Sequence, residues 1–550
     1  MPITDFLERN ARLYPNETAL VEITPQNQPD KTVTWQEAQL IERPEGEEYR
    51  RALTWQQFDV RANRFANFLF TRNVKRGDKV AILLMNCIEW LPIYFGILKT
   101  GAIVVPMNYR YSAEEIRYCV DLADVKMLVF GPEFISRVDE VKDKMPGITD
   151  YFYVGKKADT PAYADNYASM IYFCSSIVPP VELTDEDNAA IYFSSGTTGF
   201  PKAILHRHAA LVHSCKCEQA HHGQTHEDVF LCIPPLYHTG AKMHWFGSLL
   251  SGSKAVILRG VKPEWIFQAA SEEHATIIWL LVPWAQDILD SIDSGKLKLA
   301  DYRLDQWRLM HIGAQPVPPS LIKRWKAIFP HHDYDTNYGL SESIGPGAVH
   351  LGVENIDHVG AIGVAGYGWK TRILDDKRQD VEQGAVGELA LCGAGVMKEY
   401  YKNPKATAEV LFEENGETWL LTGDMARQDE QGFIYLVDRK KDVIITGGEN
   451  LYPVQIEDFL RANDKIKDVA VIGLADARLG EIAAAIIEVK EGMTMTEDEV
   501  NEFCLGMPRY KRPRKIIFAD VPRNPTGKIE KPVLRKRYNA ANLVEAETTK

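Results

Sequence analysis

A chain of 550 residues and 62.2 kDa is too long for one hydrophobic core, since domains usually run to ~100–200 residues. At 45% hydrophobic and 25% charged it is ordinary for a folded globular protein, which excludes a mainly disordered, collagenous or coiled-coil chain. Its 63 Lys plus Arg stand against 76 Asp plus Glu, and the resulting charge of −13 argues against sequence-independent nucleic-acid binding, which needs basic surface to displace counterions.

From the start, Met1-Pro-Ile-Thr-Asp-Phe-Leu-Glu-Arg-Asn10 shows no apolar core behind a basic leader, so no secretory signal is expected. Residues 25–50 are polar and charged and read as a surface insertion. Thr-Trp-Gln at 34–36 recurs at 54–56, too short a match to establish a repeat. Lys79–Leu84 is predicted as a strand, followed by a helix through Trp90 to Lys99. Ala102–Val105 is a second strand, closed by Pro106, and Ser112-Ala-Glu-Glu115 has the pattern of a capped helix start. Val125–Phe130 is a third strand, ending at Gly131-Pro132. Apolar runs such as Ala81–Met85 and Ile277–Val282 fall far below the roughly 18 residues of a membrane span and read as buried strands.

Strand and helix alternating in this way predict parallel sheets covered by helices. From about Gly384 the texture shifts to short, Gly-punctuated strands, with a hairpin signal at Asp429-Glu-Gln-Gly432. Residues 439–550 carry 20 Lys plus Arg against 18 Asp plus Glu, whereas the rest of the chain carries 43 against 58. The fold class expected is α/β: a large N-terminal domain, residues 1–438, of stacked β-sheets with helices plus a small barrel-like subdomain, then a small mobile α+β domain, residues 439–550. The eight cysteines contain no CxxC pair, so reduced thiols and a cytoplasmic location are expected.

His206, His208, His213, Cys215, Cys217, His221, His222 and His226 crowd into 21 residues. Zinc sites usually pair their ligands at short loop spacings, whereas these residues point around one predicted helix, Ala209 to His221. They read as local packing residues of a polar helix.

The segment Ile191-Tyr-Phe-Ser-Ser-Gly-Thr-Thr-Gly-Phe-Pro-Lys202 is the most informative. An apolar strand runs into small hydroxylated residues and glycines, then a lysine. Glycines let backbone N–H groups approach a phosphate, hydroxyls donate further hydrogen bonds, and Lys202 adds a positive charge. It is not a Walker A loop, which needs Gly-Lys-[Ser/Thr], because Pro201 precedes the lysine.

This segment resembles the phosphate-binding signature of the adenylate-forming superfamily: acyl-CoA synthetases, adenylation domains of peptide synthetases and firefly-type luciferases. Further signatures come after it in order. Tyr338-Gly-Leu-Ser-Glu342 resembles Tyr-Gly-x-Thr-Glu, with Ser341 for the usual threonine, and Trp419-Leu-Leu-Thr-Gly-Asp424 resembles the ribose-holding segment. Asp438-Arg-Lys-Lys-Asp442, Gly447-Gly-Glu-Asn450 and Pro453-x-x-Ile-Glu457 resemble the hinge and the segment after it, with Asp438 in place of the usual glycine. Pro525-Thr-Gly-Lys528 resembles the catalytic-lysine motif.

The resemblance implies roles for these residues. Ser194, Ser195, Gly196, Thr197, Thr198, Gly199 and Lys202 would cradle phosphates. Glu342, with Thr197, would hold Mg²⁺, whose hard charge suits oxygen ligands. Tyr338 would face adenine, with Asp335, Asn337, Gly339 and Ser341 nearby. Asp424 would hold the ribose and Arg439 would reach the nucleotide. Lys528 would bridge the acid and the α-phosphate. The small domain would swing about Lys441 and present Gly447 and Gly448 for thioester formation.

Pro234-Pro-Leu-Tyr-His238 resembles the segment bordering the acyl group, so His238 is placed there, with Trp245, Gly313, Ala314 and Gln315 as further acyl-site residues. Amino-acid-activating domains carry an aspartate in this region to pair with the ammonium, and no acid lies between Leu231 and Leu250. No carrier domain follows Lys528, which points to free CoA as acceptor. The implied activity is an AMP-forming acyl-CoA ligase acting on ATP, CoA and a hydrophobic monocarboxylic acid, as a monomer or homodimer without an integral membrane segment. A luciferase-like oxygenase and a non-catalytic nucleotide-binding regulator share the motifs and stand as alternatives.

Overall fold

In the computed structural model, which describes residues 1–27, 48–194, 201–313, 317–358, 360–446, 449–476, 478–523 and 529–538, the chain forms two units. One comprises residues 1–371 and 391–420, the other 372–390 and 421–550. Of the segment 25–50, residues 28–47 lie outside the described residues.

The first unit holds two large sheets. In one, Lys79–Leu83, Ile103–Pro106 and Val125–Phe130 run parallel, with Val80 beside Val104 and Ile82 beside Val129. Nearly every residue of these strands is buried, as expected for parallel strands covered on both faces. The helix Ala113–Ala123 begins with the capping box its sequence announces: Ser112 Oγ accepts from Glu115 N, and Glu115 accepts from Ser112 N. The same sheet continues into β1 (Asn188–Phe193) and the antiparallel β2 (Ala203–Arg207).

Two helices follow, α1 (His208–His222) and α2 (Thr239–Ser251), both closed by left-handed glycines, Gly223 and Gly252. The second sheet contains β3 (Ile277–Leu281), β4 (Leu309–Gly313) and β5 (Asp333–Tyr338), parallel and adjacent, with Ile277 beside Leu309 and Leu309 beside Asp333. Helices Val282–Asp293 and Pro319–Ile328 make the crossovers that parallel pairing requires. The carboxyl ends of these strands, Leu281, Gly313 and Tyr338, are where ligands settle in open α/β sheets. The chain then returns to the first sheet, where β6 (Glu399–Tyr400) pairs with β2, Tyr400 beside Ile204.

In the second unit, residues Asp424–Gln428 of β7 (Glu417–Gln428) pair antiparallel with β8 (Ile434–Arg439). The connection is the hairpin foreseen at Asp429–Gly432, with Gly432 at a φ of +89° that an L side chain resists. Beyond α3 (Pro453–Arg461), a long antiparallel pair, Ile466–Asp476 with Gly480–Val489, is extended by parallel Lys515–Phe518. Among the described residues no helix is long and apolar enough to cross a membrane. All eight cysteines are free thiols.

Candidate active site

β1 and β2 bracket the hydroxyl- and glycine-rich segment, and Ser194 N donates to Lys202 O at 3.1 Å across its base. Ser195, Gly196, Thr197, Thr198 and Gly199 lie outside the described residues. Lys202 Nζ sits 4.5 Å from the centre of the Tyr400 ring, and the Tyr400 hydroxyl donates to Glu342 Oε1 at 2.7 Å. β6 thus brings a phenol between the lysine and the carboxylate that the motifs single out. Burial, then the neighbouring Glu342, pushes the Tyr400 phenol up, so it stays protonated and donates.

Glu342 is held from behind by its own backbone. Its carbonyl accepts from Met397 N at 2.7 Å, while Ser341 O meets His206 Nε2 at 2.8 Å. Burial drives the His206 imidazolium pKa down to about 4, so this histidine is neutral at pH 7 and donates through Nε2. The turn itself is tight. Ser343 Oγ accepts from Leu340 N at 2.9 Å, Ile344 has a φ of 44°, and a Cβ at Gly339 would lie 2.5 Å from Gly345 O. Only glycine fits position 339 without moving the turn.

On β5, Tyr338 is buried and registers with Ala348, and Asn337 Nδ2 reaches Glu218 Oε1 at 3.4 Å. Asp335 faces the interior, where it meets His311 and His222. Burial opposes its ionisation, but those two imidazoles outweigh it and hold the carboxyl well below its ordinary range.

The segment leading to His238 is clamped from two sides. Asn86 donates to Pro234 O at 2.9 Å and accepts from Leu236 N at 2.8 Å. Lys242, on α2, donates to the carbonyls of Leu236 at 2.7 Å and Tyr237 at 3.1 Å. Burial pushes the Lys242 ammonium well below its ordinary value. His238 is exposed and caps α2, its Nδ1 accepting from Gly240 N at 3.1 Å, which leaves the neutral ring's proton on Nε2.

Gly240 is the contact point with β3: a Cβ there would meet the Trp279 ring at 3.0 Å. A Cβ at Gly313 would lie 3.9 Å from Trp279 Nε1 and from Thr336 Oγ1. His238, Trp279 and Gly313 therefore share one neighbourhood. Trp245 packs elsewhere; it is fully buried against Phe58, Phe95 and Phe246. Ala314 and Gln315 lie outside the described residues.

In the second unit, β7 and β8 place Asp424 opposite Arg439, with Arg439 Nε 2.6 Å from Asp424 Oδ1. Thr422 Oγ1 accepts from Asp424 N at 3.2 Å and donates to Leu389 O at 2.7 Å, fixing the approach to the aspartate. The next turn is closed by Asp442 N donating to Arg439 O at 2.8 Å, and burial lowers the Lys441 ammonium pKa. Asp438 accepts from Arg439 N at 2.7 Å and from Val454 N at 2.9 Å, so it caps the first turn of α3. Gly447, Gly448 and Lys528 lie outside the described residues.

Sequence reasoning missed Tyr400, Trp279, Thr336 and Lys242. The one local signal was the cation among apolar residues at Lys242, since a lysine buried on a helix must find carbonyl partners.

Residues 7–401 match the family model described as AMP-binding enzyme, and residues 455–528 match the AMP-binding enzyme C-terminal domain. The long-chain-fatty-acid--CoA ligase FadD13 of Mycobacterium tuberculosis is 32% identical over 494 residues, covering 89% of this chain and 93% of that protein. The indoleacetate--CoA ligase of Aromatoleum aromaticum is 29% identical over 551 residues, 99% of this chain and all of the other. A solved Mycobacterium tuberculosis fatty acyl CoA synthetase superposes with a TM-score of 0.75 at 28% identity, covering 98% of this chain and 99% of that one. The chain belongs to the AMP-binding enzyme family. Within it, the chain is an AMP-forming acyl-CoA ligase, an acid–thiol ligase that uses ATP.

Proposed function

We propose that the acid is a hydrophobic monocarboxylate of intermediate size and that free CoA is the acceptor. The observation that carries the catalytic reading is the convergence of Lys202, Tyr400 and Glu342 beside the hydroxyl-rich segment. A carboxylate cannot acylate a thiol directly at neutral pH, because oxide would have to leave. Its oxygen instead attacks the α-phosphorus of ATP, the bond to pyrophosphate breaks, and an acyl-adenylate forms. The thiolate sulfur of CoA then attacks the acyl carbon and AMP departs.

The first step gathers negative charge from the acid and the triphosphate, so catalysis depends on preorganised cations and donors. Lys202 and the 194–199 segment bind phosphates, and Lys528 bridges the acid and the α-phosphate. Glu342 offers hard carboxylate oxygen, of which the Tyr400 bond uses only Oε1, and with Thr197 it suits Mg²⁺. Mg²⁺ when bound neutralises phosphate charge. Tyr338 and Asn337 flank adenine, while Asp424 takes the ribose hydroxyls beside Arg439. The Asp335 carboxylate is engaged with two histidines.

His238, Trp279 and Gly313 support an acyl site with aromatic walls. Lys242 is committed to backbone carbonyls and offers no counter-ion to a second carboxylate. The segment 439–550 acts as a lid turning about Lys441, presenting Lys528 for adenylation and Gly447–Gly448 for thioester formation. A panel of carboxylic acids assayed for pyrophosphate release, with and without CoA, tests the substrate. Medium-chain, alicyclic or aromatic acids are expected to lead; preference for acetate or an amino acid overturns the reading.

A further inference from the structure

Lys242 stands in the first turn of α2 and is 1% exposed. Both facts work against a cation there. The first turn of a helix carries partial positive charge, and an ammonium taken out of water needs partners to offset the loss. Among the described residues no carboxylate faces it. Its Nζ lies 4.4 Å from the centre of the Tyr192 ring on β1. The Trp90 and Tyr94 rings of the helix Trp90–Lys99 follow at 5.2 and 6.0 Å, and the Cys232 thiol of the strand Val229–Cys232 also faces it. Methionine would fill such a space without burying a charge.

What the charge obtains is backbone. Nζ donates to Leu236 O at 2.7 Å, Tyr237 O at 3.1 Å and His238 O at 3.4 Å. An ammonium has three N–H donors and no acceptor, so three consecutive carbonyls match it one for one. A neutral amine would turn its lone pair toward one of them. The carbonyls so held belong to the segment that ends in His238, while the Tyr192 ring on the other side stands two residues before Ser194. Lys242 therefore joins the segment bordering the acyl group to the strand that enters the phosphate segment. Attack of a carboxylate oxygen on the α-phosphorus requires those two parts to be held in fixed relation.

We propose that Lys242, as an ammonium ion, is the positioning residue that holds the 236–238 backbone, and with it His238, in the conformation that receives the acid. This rests on the reading of His238 as an acyl-site residue. Lys242 acts through the backbone it holds and not by touching substrate. Its charge is open to titration. Burial sets the Lys242 ammonium well below its ordinary value, whereas burial pushes the Cys232 thiol up to about 12 and the Tyr94 and Tyr192 phenols up as well. As pH rises, Lys242 is the first of this group to change charge, and its loss of a proton leaves two N–H donors for three carbonyls.

Lys242→Met keeps the length of the side chain and removes the charge. Pyrophosphate release is measured against octanoate or benzoate, whichever the acid panel favours, and against ATP. The variant should lose at least about tenfold in kcat/KM for the acid, with KM for ATP within about twofold and circular dichroism unchanged. Lys242→Gln, which keeps two N–H donors on a shorter chain, should fall between it and wild type. Equal losses for acid and ATP mean general packing and overturn the proposal. His238→Ala is measured alongside. If it lowers kcat/KM for the acid while Lys242→Met stays within about twofold of wild type, the acyl-site reading stands and the proposal is overturned. If His238→Ala leaves the acid parameters unchanged, the acyl-site reading fails and the proposal falls with it. In wild type, kcat/KM for the acid should decline at lower pH than kcat/KM for ATP as the solution is made alkaline. Coincident declines overturn the proposal even where neither Lys242 variant folds.

Discussion

Replacing Tyr400 by Phe removes one atom from the candidate active site and leaves the ring that Lys202 faces. The hydroxyl lost donates at 2.7 Å to Glu342, and its carboxylate partner puts this bond in the stronger class, worth about 1.5–3 kcal/mol. The cation–π contact at 4.5 Å survives, because phenylalanine keeps the aromatic face. If the bond orients Glu342 for Mg²⁺, its loss should lower kcat/KM for ATP by about 10–100-fold. It should also raise the Mg²⁺ concentration needed for half-maximal rate. Pyrophosphate release across a Mg²⁺ series is the assay, with thermal unfolding as the check on folding. Tyr400→Leu, which removes the ring as well, should be worse and should also weaken ATP binding through Lys202. A Tyr400→Phe enzyme within about twofold of wild type at every Mg²⁺ concentration would refute the positioning role, since even the lower bound of the bond energy exceeds that change.

Lys528→Ala should abolish acyl-adenylate formation yet largely spare thioester formation from supplied acyl-AMP; equal loss of both half-reactions removes Lys528 from its assigned step. Gly339→Ala would push a Cβ to 2.5 Å from Gly345 O, so adenylation should fall at least about tenfold with a lower melting temperature, and a variant indistinguishable from wild type would show that the turn does not position Glu342. Asp438 is a pH prediction: burial raises its pKa to about 6, so its contribution to folding is present below its ordinary value near 3.8 and is lost as pH rises through about 6, by roughly 3 kcal/mol. The melting temperature of Asp438→Asn relative to wild type should therefore rise between about pH 4 and pH 7.5, and a flat difference contradicts the assignment.

Features set by neighbours in the chain could be read from the sequence. The Ser112–Glu115 capping box, the Asp429–Gly432 hairpin and the helix after Arg207 depend on contacts a few residues long, and the strands at 79–83, 103–106 and 125–130 show as short apolar runs although their pairing is long-range. The candidate site was legible where a family motif is contiguous, as at Tyr338–Glu342. Tyr400 was not, because its bond to Glu342 spans 58 residues and exists only when β6 pairs with β2. Trp279 read as one more apolar strand residue. Alternation assigns it a face, but only the absence of a side chain at Gly240 brings its ring beside His238.

The histidine-rich stretch shows why sequence proximity misleads about ligand sets. Of its crowded His and Cys residues, several turn to distant partners: His206 serves Ser341, His221 takes Tyr367 N and His226 meets Glu17, while His213 and Cys217, four apart on one helix face, meet at 3.4 Å. A helix turns successive residues through about 100°, so a run of ligand-type residues is dispersed rather than gathered. What gathers such side chains is a helix position aimed at a strand. His222 finds His311 across 89 residues and then Asp335 one strand further on, a set that no window along the chain contains. Lys202 precedes β2 and Tyr400 ends β6, which pair in one sheet, while Glu342 lies in the turn that follows β5 of the other sheet and joins them through the Tyr400 hydroxyl.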